Sequence, residues 1–503
     1  MAPRNMDSLL PQLLTFPPHP PPPVPLVDVA YDKEIKSLRK VLNDTPASLL
    51  TAGVPNGGDL LDVLDPSINT LPFLYVLLAH SNAGKQKATT IGSPLWQKAL
   101  EFLHRFDSVQ IRYVGTEFRR LIMFVQDVAL AGKQPIAAVR PIGTAILRLD
   151  SSGSCYTSTH LVFVQLCLEA RSFRAAKAIL DKDIYELPSS AKMVPDLLCS
   201  RHDTSSGFIT DKSELSDAIS YRDPLHYFLY GAMIYLALKE WRRAILFLEV
   251  VLTAPSKTQA SQIQVEAYKK WVLANLLAYG EVPSSLPKTT SSQVAKHSRT
   301  LGKAYEALGI VFQDGISKEH DVRRLNAEVH IGHQRWSSDH NLSLVLQVLD
   351  AYRQFTIAKL ESTYVALPLS EVGRRTSPNP DDHAETAQYI AMMIENGQLN
   401  ARIEQRSSND PQSWVLRFVA PSDSGPQTRT EQHQHEELKR QVARTAKLAE
   451  HIRETDRKIS LNKDYISWLK QKADMTTTAN AGEDPAIALE QIPFEDEDLL
   501  AGT

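Results

Sequence analysis

One stretch of this chain is written twice. Leu168-Glu-Ala-Arg-Ser-Phe-Arg-Ala-Ala-Lys-Ala-Ile-Leu180 aligns with Leu236-Ala-Leu-Lys-Glu-Trp-Arg-Arg-Ala-Ile-Leu-Phe-Leu248, at an offset of 68 residues. Each copy reads as the end of one helix, a basic-polar turn, an aromatic (Phe173, Trp241) and a second, amphipathic helix. The offset is twice the roughly 34-residue period of tetratricopeptide-like hairpins. A helical hairpin of that size cannot cover its own apolar face and is stable only when stacked on neighbours of the same kind. The expected fold is therefore mostly α: an α-solenoid of TPR-like helical repeats.

Around the second copy, Tyr227, Gly231, Ile234, Phe247 and Pro255 fall at the spacing of the repeat. Gly231 is expected to let the two helices approach, with Ala244 facing it. Pro255 ends the second helix because proline has no N–H to donate to the ladder. From Tyr31 onward apolar residues recur at helical steps, as in Phe73, Leu74, Leu77 and Leu78, or Leu121, Ile122, Val125 and Val128–Ala129. Strand-like alternation is absent from the first three hundred residues, and turn signals such as Val54–Gly58 and Gly92–Pro94 punctuate them. We expect N-terminal repeats over residues 31–225 and further repeats to residue 340, with Lys182–Asp223 as an irregular insertion. Seven prolines lie between Pro17 and Pro25, a stretch that favours extended polyproline II, so residues 1–30 are expected to form a disordered Pro-rich leader outside any core.

The pattern changes after Asn341. Leu342–Ser362 reads as one long helix with Leu346, Leu349, Phe355, Ile357 and Leu360 available to a buried stripe. Pro368-Leu-Ser-Glu-Val opens a short helix with Ser370 as its cap, and Asp381/Asp382 opens another that stops at Asn396-Gly397. Leu399, Ala401 and Ile403 then alternate with polar residues, and a polar turn leads to Trp414-Val-Leu-Arg-Phe-Val419. Helices followed by a hairpin are the order of a winged helix, here over residues 341–420. A linker at 421–430 precedes a charged helix at 431–473, in which Leu438, Val442, Thr445, Ala449, Ile452 and Ile459 make a narrow apolar stripe interrupted by Asp456, suited to a bundle or coiled coil with partner helices or to folding back on its own domain. Residues 474–503 form an acidic tail expected to be disordered: Thr476–Thr503 holds seven acidic residues and no basic one.

Several chemistries fail on their residue requirements. His433-Gln-His435 echoes the paired histidines of metal-dependent isopeptidases, but the positions due to hold proline, serine and aspartate hold Glu436, Arg444 and Lys447. Two cations there would repel a metal ion. His330-Ile-Gly-His333 lacks a glutamate base and a third ligand. Ala83-Gly84-Lys85-Gln86 lacks the first glycine of a phosphate loop, at Ala79, and its hydroxyl, at Gln86. No Gly-x-Ser-x-Gly elbow occurs, and Cys155, Cys167 and Cys199 lack Cys-x-x-Cys spacing. We expect no catalytic site, no metal and no cofactor.

A DNA-reading role fits poorly as well. The net charge is −3, and the recognition helix Asp381–Asn396 carries Asp381, Asp382, Glu385 and Glu395 with no lysine or arginine. DNA binding depends on neutralising phosphates. Arg374, Arg375, Arg402, Arg406 and Arg417 lie elsewhere on the module. No apolar run approaches the ~18 residues of a membrane span. The N-terminus has no apolar signal core, and three cysteines suit a reducing compartment, so the expected location is cytoplasm and nucleus.

A helical repeat running into a winged helix resembles the plan of the PCI family, found in the proteasome lid, the COP9 signalosome and translation initiation factor 3. Two stretches sharpen the likeness. Tyr230-Gly-Ala-Met-Ile-Tyr-Leu-Ala-Leu-Lys-Glu-Trp-Arg-Arg-Ala, with Val265-Glu-Ala-Tyr-Lys-Lys-Trp-Val-Leu and Tyr279-Gly-Glu-Val, is similar to the signalosome branch of that family. Ala391-Met-Met-Ile-Glu-Asn-Gly-Gln-Leu-Asn-Ala-Arg-Ile-Glu404 resembles the family's passage from last helix into wing. The likeness covers roughly Tyr221 to Val419. It implies a non-catalytic scaffold subunit in the assembly that strips a ubiquitin-like modifier from cullins (deneddylation). Implied partners are other signalosome subunits, of PCI and metalloprotease type, with cullin-RING ligases bound indirectly. A subunit of the lid or of the initiation factor shares the plan without those stretches, and a winged-helix nucleic-acid binder is the third reading.

In the family, winged helices associate side by side and C-terminal helices join one bundle. The candidate interface is therefore Leu399, Ile403, Trp414, Leu416 and Phe418 on the wing, and Leu438, Val442, Ile452, Ile459 and Trp468 on the terminal helix. Trp241 and Trp271 read as repeat core.

Overall fold

The computed structural model describes residues 6–17, 28–52, 58–83, 89–188, 197–199, 205–210, 213–256, 260–318, 322–377, 382–405, 414–419, 427–460 and 465–468. They fall into two compact units: residues 1–390 with 405–414, and residues 391–404 with 415–503. The expected winged-helix module is divided between them.

The first unit is a succession of helices. It begins with α1 (Met6–Thr15), α2 (Asp28–Asp44), the short α3 (Ala47–Leu50) and α4 (Leu60–Val63), then α5 (Thr70–Ala83) and α6 (Pro94–Arg105). Next come α7 (Ser108–Ile111), α8 (Gly115–Ala131), α9 (Ile136–Leu149), α10 (Ser158–Glu169) and α11 (Phe173–Leu180). After a long connection follow α12 (Arg222–Ala237), α13 (Trp241–Thr253), α14 (Gln262–Tyr279), α15 (Ser292–Leu301) and α16 (Lys303–Lys318). The unit continues through α17 (Val322–Ile331), α18 (His333–Ser338), α19 (Leu342–Glu361), the extended β1 (Ala366–Pro368), α20 (Leu369–Thr376) and α21 (His383–Glu395) as far as Ile390. Polar caps start several of these helices. The Ser93 hydroxyl accepts from the Trp96 N–H at 3.3 Å, with Pro94 in the first helical turn, and Ser261 and Gln264 close a reciprocal box at the head of α14.

The two written copies are the hairpins α10–α11 and α12–α13, and α12 packs on α10, α11, α13 and α14. Their turns share one geometry that recurs at four places. Lys133, Arg171, Lys239 and His340 have φ of 53°, 50°, 60° and 54°. At each, the next N–H returns to the carbonyl five residues back: Gln134 to Ala129, Ser172 to Cys167, Glu240 to Tyr235, and Asn341 to Trp336, all at 2.9 Å. This closure of a helix end usually takes glycine, because a Cβ is crowded in the left-handed region. Basic side chains stand there instead, and they suit the negative end of a helix. Glycine fills the same role at Gly397, with φ 68°. We therefore expect melting temperatures in the order Lys239→Gly, wild type, Lys239→Val. The left-handed penalty is about 1–2 kcal/mol for a side chain, and largest for a β-branched one. A higher melting temperature for the valine variant would overturn the assignment.

Two expectations about packing change. A Cβ on Gly231 would meet the Phe247 ring at 2.7 Å and Leu180 at 3.1 Å, so this glycine makes room for the aromatic of its own hairpin and the preceding helix rather than for Ala244. In α19 the inward residues are Val345, Val348, Tyr352, Ile357 and Leu360, while Leu346 points outward. Ser370 lies inside α20, whose cap position is Pro368.

The leader is not wholly extended. Leu9, Leu13 and Phe16 of α1 and its end are buried, and the Phe16 ring meets Tyr31 edge-on at 4.9 Å. Leu9 and Leu13 are one helical turn apart, a pair overshadowed in the sequence by the prolines that follow. The proline-rich residues 18–27 lie outside the described residues.

The insertion between α11 and α12 is irregular yet packed, and it straps α7 and α8. Arg112 donates to the Leu198 carbonyl at 3.0 Å and stacks over Phe208 at 3.6 Å. Arg119 donates to the Glu214 carbonyl at 2.8 Å and pairs with Asp217. The closest approach is at Gly115, where a Cβ would lie 2.3 Å from the Ser213 carbonyl oxygen.

A polar network fixes the start of α19. Buried Lys270 pairs with Glu266 and donates to Asn341 Oδ1 at 2.9 Å. Asn341, fully buried, donates to the Tyr305 hydroxyl at 2.9 Å, which donates to Asp339 at 2.8 Å. Lys269 pairs with Asp339 at 2.8 Å. Burial opposes ionisation of Asp339, but hydrogen bonds from Lys269 and Tyr305 and the lysine charge outweigh it and hold the carboxyl below its usual range. These charges are affordable inside the unit because each has a partner.

The strands β2 (Ala401–Gln405) and β3 (Trp414–Phe418), of which 401–404 and 415–418 belong to the second unit, run antiparallel: the Val419 N–H meets the Asn400 carbonyl at 2.9 Å, placing the end of one strand beside the start of the other. Arg417 bridges them to Glu404 at 2.8 Å. The terminal helix, α22, spans Gln427–Ser460 and so starts earlier than the expected residue 431.

Candidate partner-binding site

The ten residues expected at an interface separate cleanly. On the wing, Leu399, Leu416 and Phe418 are buried, and Ile403 and Trp414 are half-buried. Trp414, Leu416 and Phe418 share one face of β3, and that face belongs to the chain's own core. Alternation shows which face of a strand is apolar but not whether the chain itself covers it. The Trp414 indole N–H is buried without a hydrogen-bond partner. Among the described residues no strand pairs with the far side of β2. Such an edge offers unpaired backbone groups to another chain.

The terminal helix is different. Leu438, Val442, Ile452 and Ile459 are 58 %, 62 %, 57 % and 43 % exposed, and Leu448 joins them at 43 %. At 3.6 residues per turn these five, with half-buried Ala449, share a stripe about 120° wide along a helix about 50 Å long. Asp456 stands exposed within it. Trp468 is half-exposed and stacks on Tyr465 at 5.8 Å, in a stretch with Ile466 that is also exposed. Leu448, Tyr465 and Ile466 were missed in the sequence: the first lies at the edge of the stripe, and the others follow the break in periodicity after Ile459.

The site can bind by shape and apolar contact. Among the described residues no cluster of three or more His, Cys, Asp or Glu is placed to hold a metal ion. His330 and His333 sit exposed on two different helices, α17 and α18. The lysine of the rejected phosphate loop and the side chain of His433 lie outside the described residues. Among the described residues His160 is the most perturbed histidine, pushed down to about 4 by burial against the weaker pull of Asp150. Its Nδ1 accepts from the Thr157 N–H at 3.1 Å and closes the cap of α10, so its role is structural. All three cysteines are buried thiols.

The DNA-reading expectation meets a further obstacle. On α21 the exposed positions are Ala384, Gln388, Met392 and Glu395, while Glu385 pairs with Arg353 at 2.9 Å and Asp382 caps the helix. Arg374 and Arg375 both bond Glu371, and Arg402 and Arg417 both pair with Glu404. Arg406 lies outside the described residues. No helix is long and apolar enough to cross a membrane among the described residues.

Comparison with known proteins agrees with the fold. The family described as COP9 signalosome complex subunit 3, N-terminal helical repeats, matches residues 32–294, reaching far N-terminal of the stretch that carried the resemblance in the sequence. The chain is 34 % identical over 429 residues to the COP9 signalosome complex subunit 3 of Emericella nidulans, covering 83 % of this chain and 84 % of that protein. It is 27 % identical to the subunit 3 of Arabidopsis thaliana over 81 % of this chain and 83 % of the relative. With that of Neurospora crassa it shares 25 % identity over 99 % of each chain. A family match over more than half the chain, and a relative this similar over most of both lengths, place the chain in the COP9 signalosome subunit 3 family.

Proposed function

We propose that this chain is a non-catalytic scaffold subunit of the COP9 signalosome, contributing to deneddylation of cullin-RING ligases by holding other subunits in register. The observation that carries the reading is the exposed stripe of α22. An apolar seam of five residues, uncovered by its own unit, suits a bundle with helices of other subunits, and burying each such side chain is worth about 1.5–3 kcal/mol. The unpaired edge of β2 suits strand addition by a neighbouring wing. The repeats supply a stiff arm on which these surfaces are carried. Bond cleavage then belongs to a metal-bearing partner subunit, and cullins are reached through the assembly. The compartment that fits is cytoplasm and nucleus, where buried thiols stay reduced.

The test is affinity purification of the tagged full chain from its own cells, followed by mass spectrometry. Stoichiometric recovery of the remaining signalosome subunits, with cullins at lower yield, is expected. Recovery of proteasome-lid or ribosomal proteins in their place would refute the reading.

A further inference from the structure

The stripe of α22 raises a question about the chain before it finds partners, since an exposed apolar seam of this length invites non-specific association. We propose that in the free chain the acidic C-terminal tail docks on this stripe and must be displaced for assembly. The inference rests on the stripe being the contact proposed above, and it concerns a different state of the protein.

Three observations support this occupant. The first is charge. Glu436 lies on the far side of the helix and Asp456 stands within the seam, while the exposed cations Arg453, at the seam's edge, and Lys439, about 60° beyond that edge and close to Glu450, give one flank basic character. The tail is their complement: Glu483, Asp484, Glu490 and Glu495-Asp-Glu-Asp498, with no basic residue after Lys472. The second is apolar content. Ile487, Leu489, Ile492, Phe494, Leu499 and Leu500 interleave with those carboxylates, giving the segment both halves of what the seam offers. The third is reach. Phe494 lies 26 residues beyond Trp468, enough for about 85 Å of extended chain. Ile459 back to Leu438 is only about 32 Å of helix.

Tethering makes weak contacts sufficient. A short flexible link gives an effective concentration of about 1 mM, so a tail whose free affinity is only about 0.1 mM would occupy its site about nine-tenths of the time. A partner helix competing for the seam would then bind about tenfold more weakly to the full chain than to one lacking the tail.

Hydrogen exchange tests this on the free chain, in parallel with a chain ending at Ala473 and with a full-length Ile492→Ser, Phe494→Ser, Leu499→Ser, Leu500→Ser variant that keeps every charge. We expect amides of residues 438–460 to exchange several-fold faster in both altered chains than in wild type, with the difference shrinking in 0.5 M salt. A synthetic peptide of residues 476–503 should bind the truncated chain near 0.1 mM and at least threefold more weakly after Lys439→Glu and Arg453→Glu. Equal exchange in all three chains, or no saturable peptide binding at 1 mM, would overturn the proposal. Neither result touches the affinity purification, so the two readings stand or fall separately.

Discussion

A chain carrying Leu438→Glu, Val442→Glu and Ile452→Glu is expected to melt within about 0.5 kcal/mol of wild type and yet be missing from the assembled complex. All three side chains are more than half exposed, so the free chain loses no core packing when they change. In a bundle the same three would each forfeit about 1.5–3 kcal/mol of apolar burial and bring an unpaired carboxylate into the seam. Even half of that apolar term, summed, is about fortyfold or more in affinity. Thermal melting of the purified chain and size-exclusion of the assembly report the two halves. Normal incorporation of the triple variant would show that α22 is not the contact. Substituting Leu416 the same way is expected to unfold the second unit, because Leu416 is fully buried, and so cannot serve as a test of binding.

The second large effect is expected at Gly115→Ala. The added methyl would lie 2.3 Å from the Ser213 oxygen and 2.5 Å from the Leu215 nitrogen, and backbone cannot turn aside as a side chain does. Relief requires the strap to lift from α8, breaking the contacts of Arg119 with Glu214 and Asp217. A loss of about 3 kcal/mol follows, at the upper end for overpacking. Limited proteolysis should cut the strap well before the repeats. Gly143→Ala provides the contrast: its methyl meets only the edge of the Phe163 ring, at 3.0 Å, and a ring can shift. Equal melting temperatures for the two variants would show that the strap is not seated where Gly115 puts it.

How far the molecule can be read from its residues depends on the distance over which each cause acts. The hairpins are legible because their turn chemistry is local, and Arg171 and Lys239 occupy the same left-handed position 68 residues apart. The strap is not, since Gly115 meets Ser213 across nearly a hundred residues and nothing in either neighbourhood signals the other. Leu346 and Val345 show a subtler limit. Two overlapping sets of apolar residues run along α19, periodicity alone does not rank them, and packing chose the set containing Val345. On the wing alternation marks the apolar face but not what covers it, because core and interface use the same residues. The terminal stripe differs in that its apolar residues are exposed along a helix whose flanks are heavily charged.

The network at the head of α19 has a consequence for synthesis. Lys270 leaves the ribosome 71 residues before Asn341, which at 5–20 residues per second is about 4–14 s. Throughout that interval α14 presents an ammonium and a carboxylate that only later sequence can help to satisfy, so water must hold that flank open. Premature stacking of a wrong helix there would bury the Lys270–Glu266 pair without the Asn341 amide that completes it. The order of emergence from the ribosome thus becomes a proofreading step, in which the nascent repeat array closes on its own C-terminal neighbour and on little else.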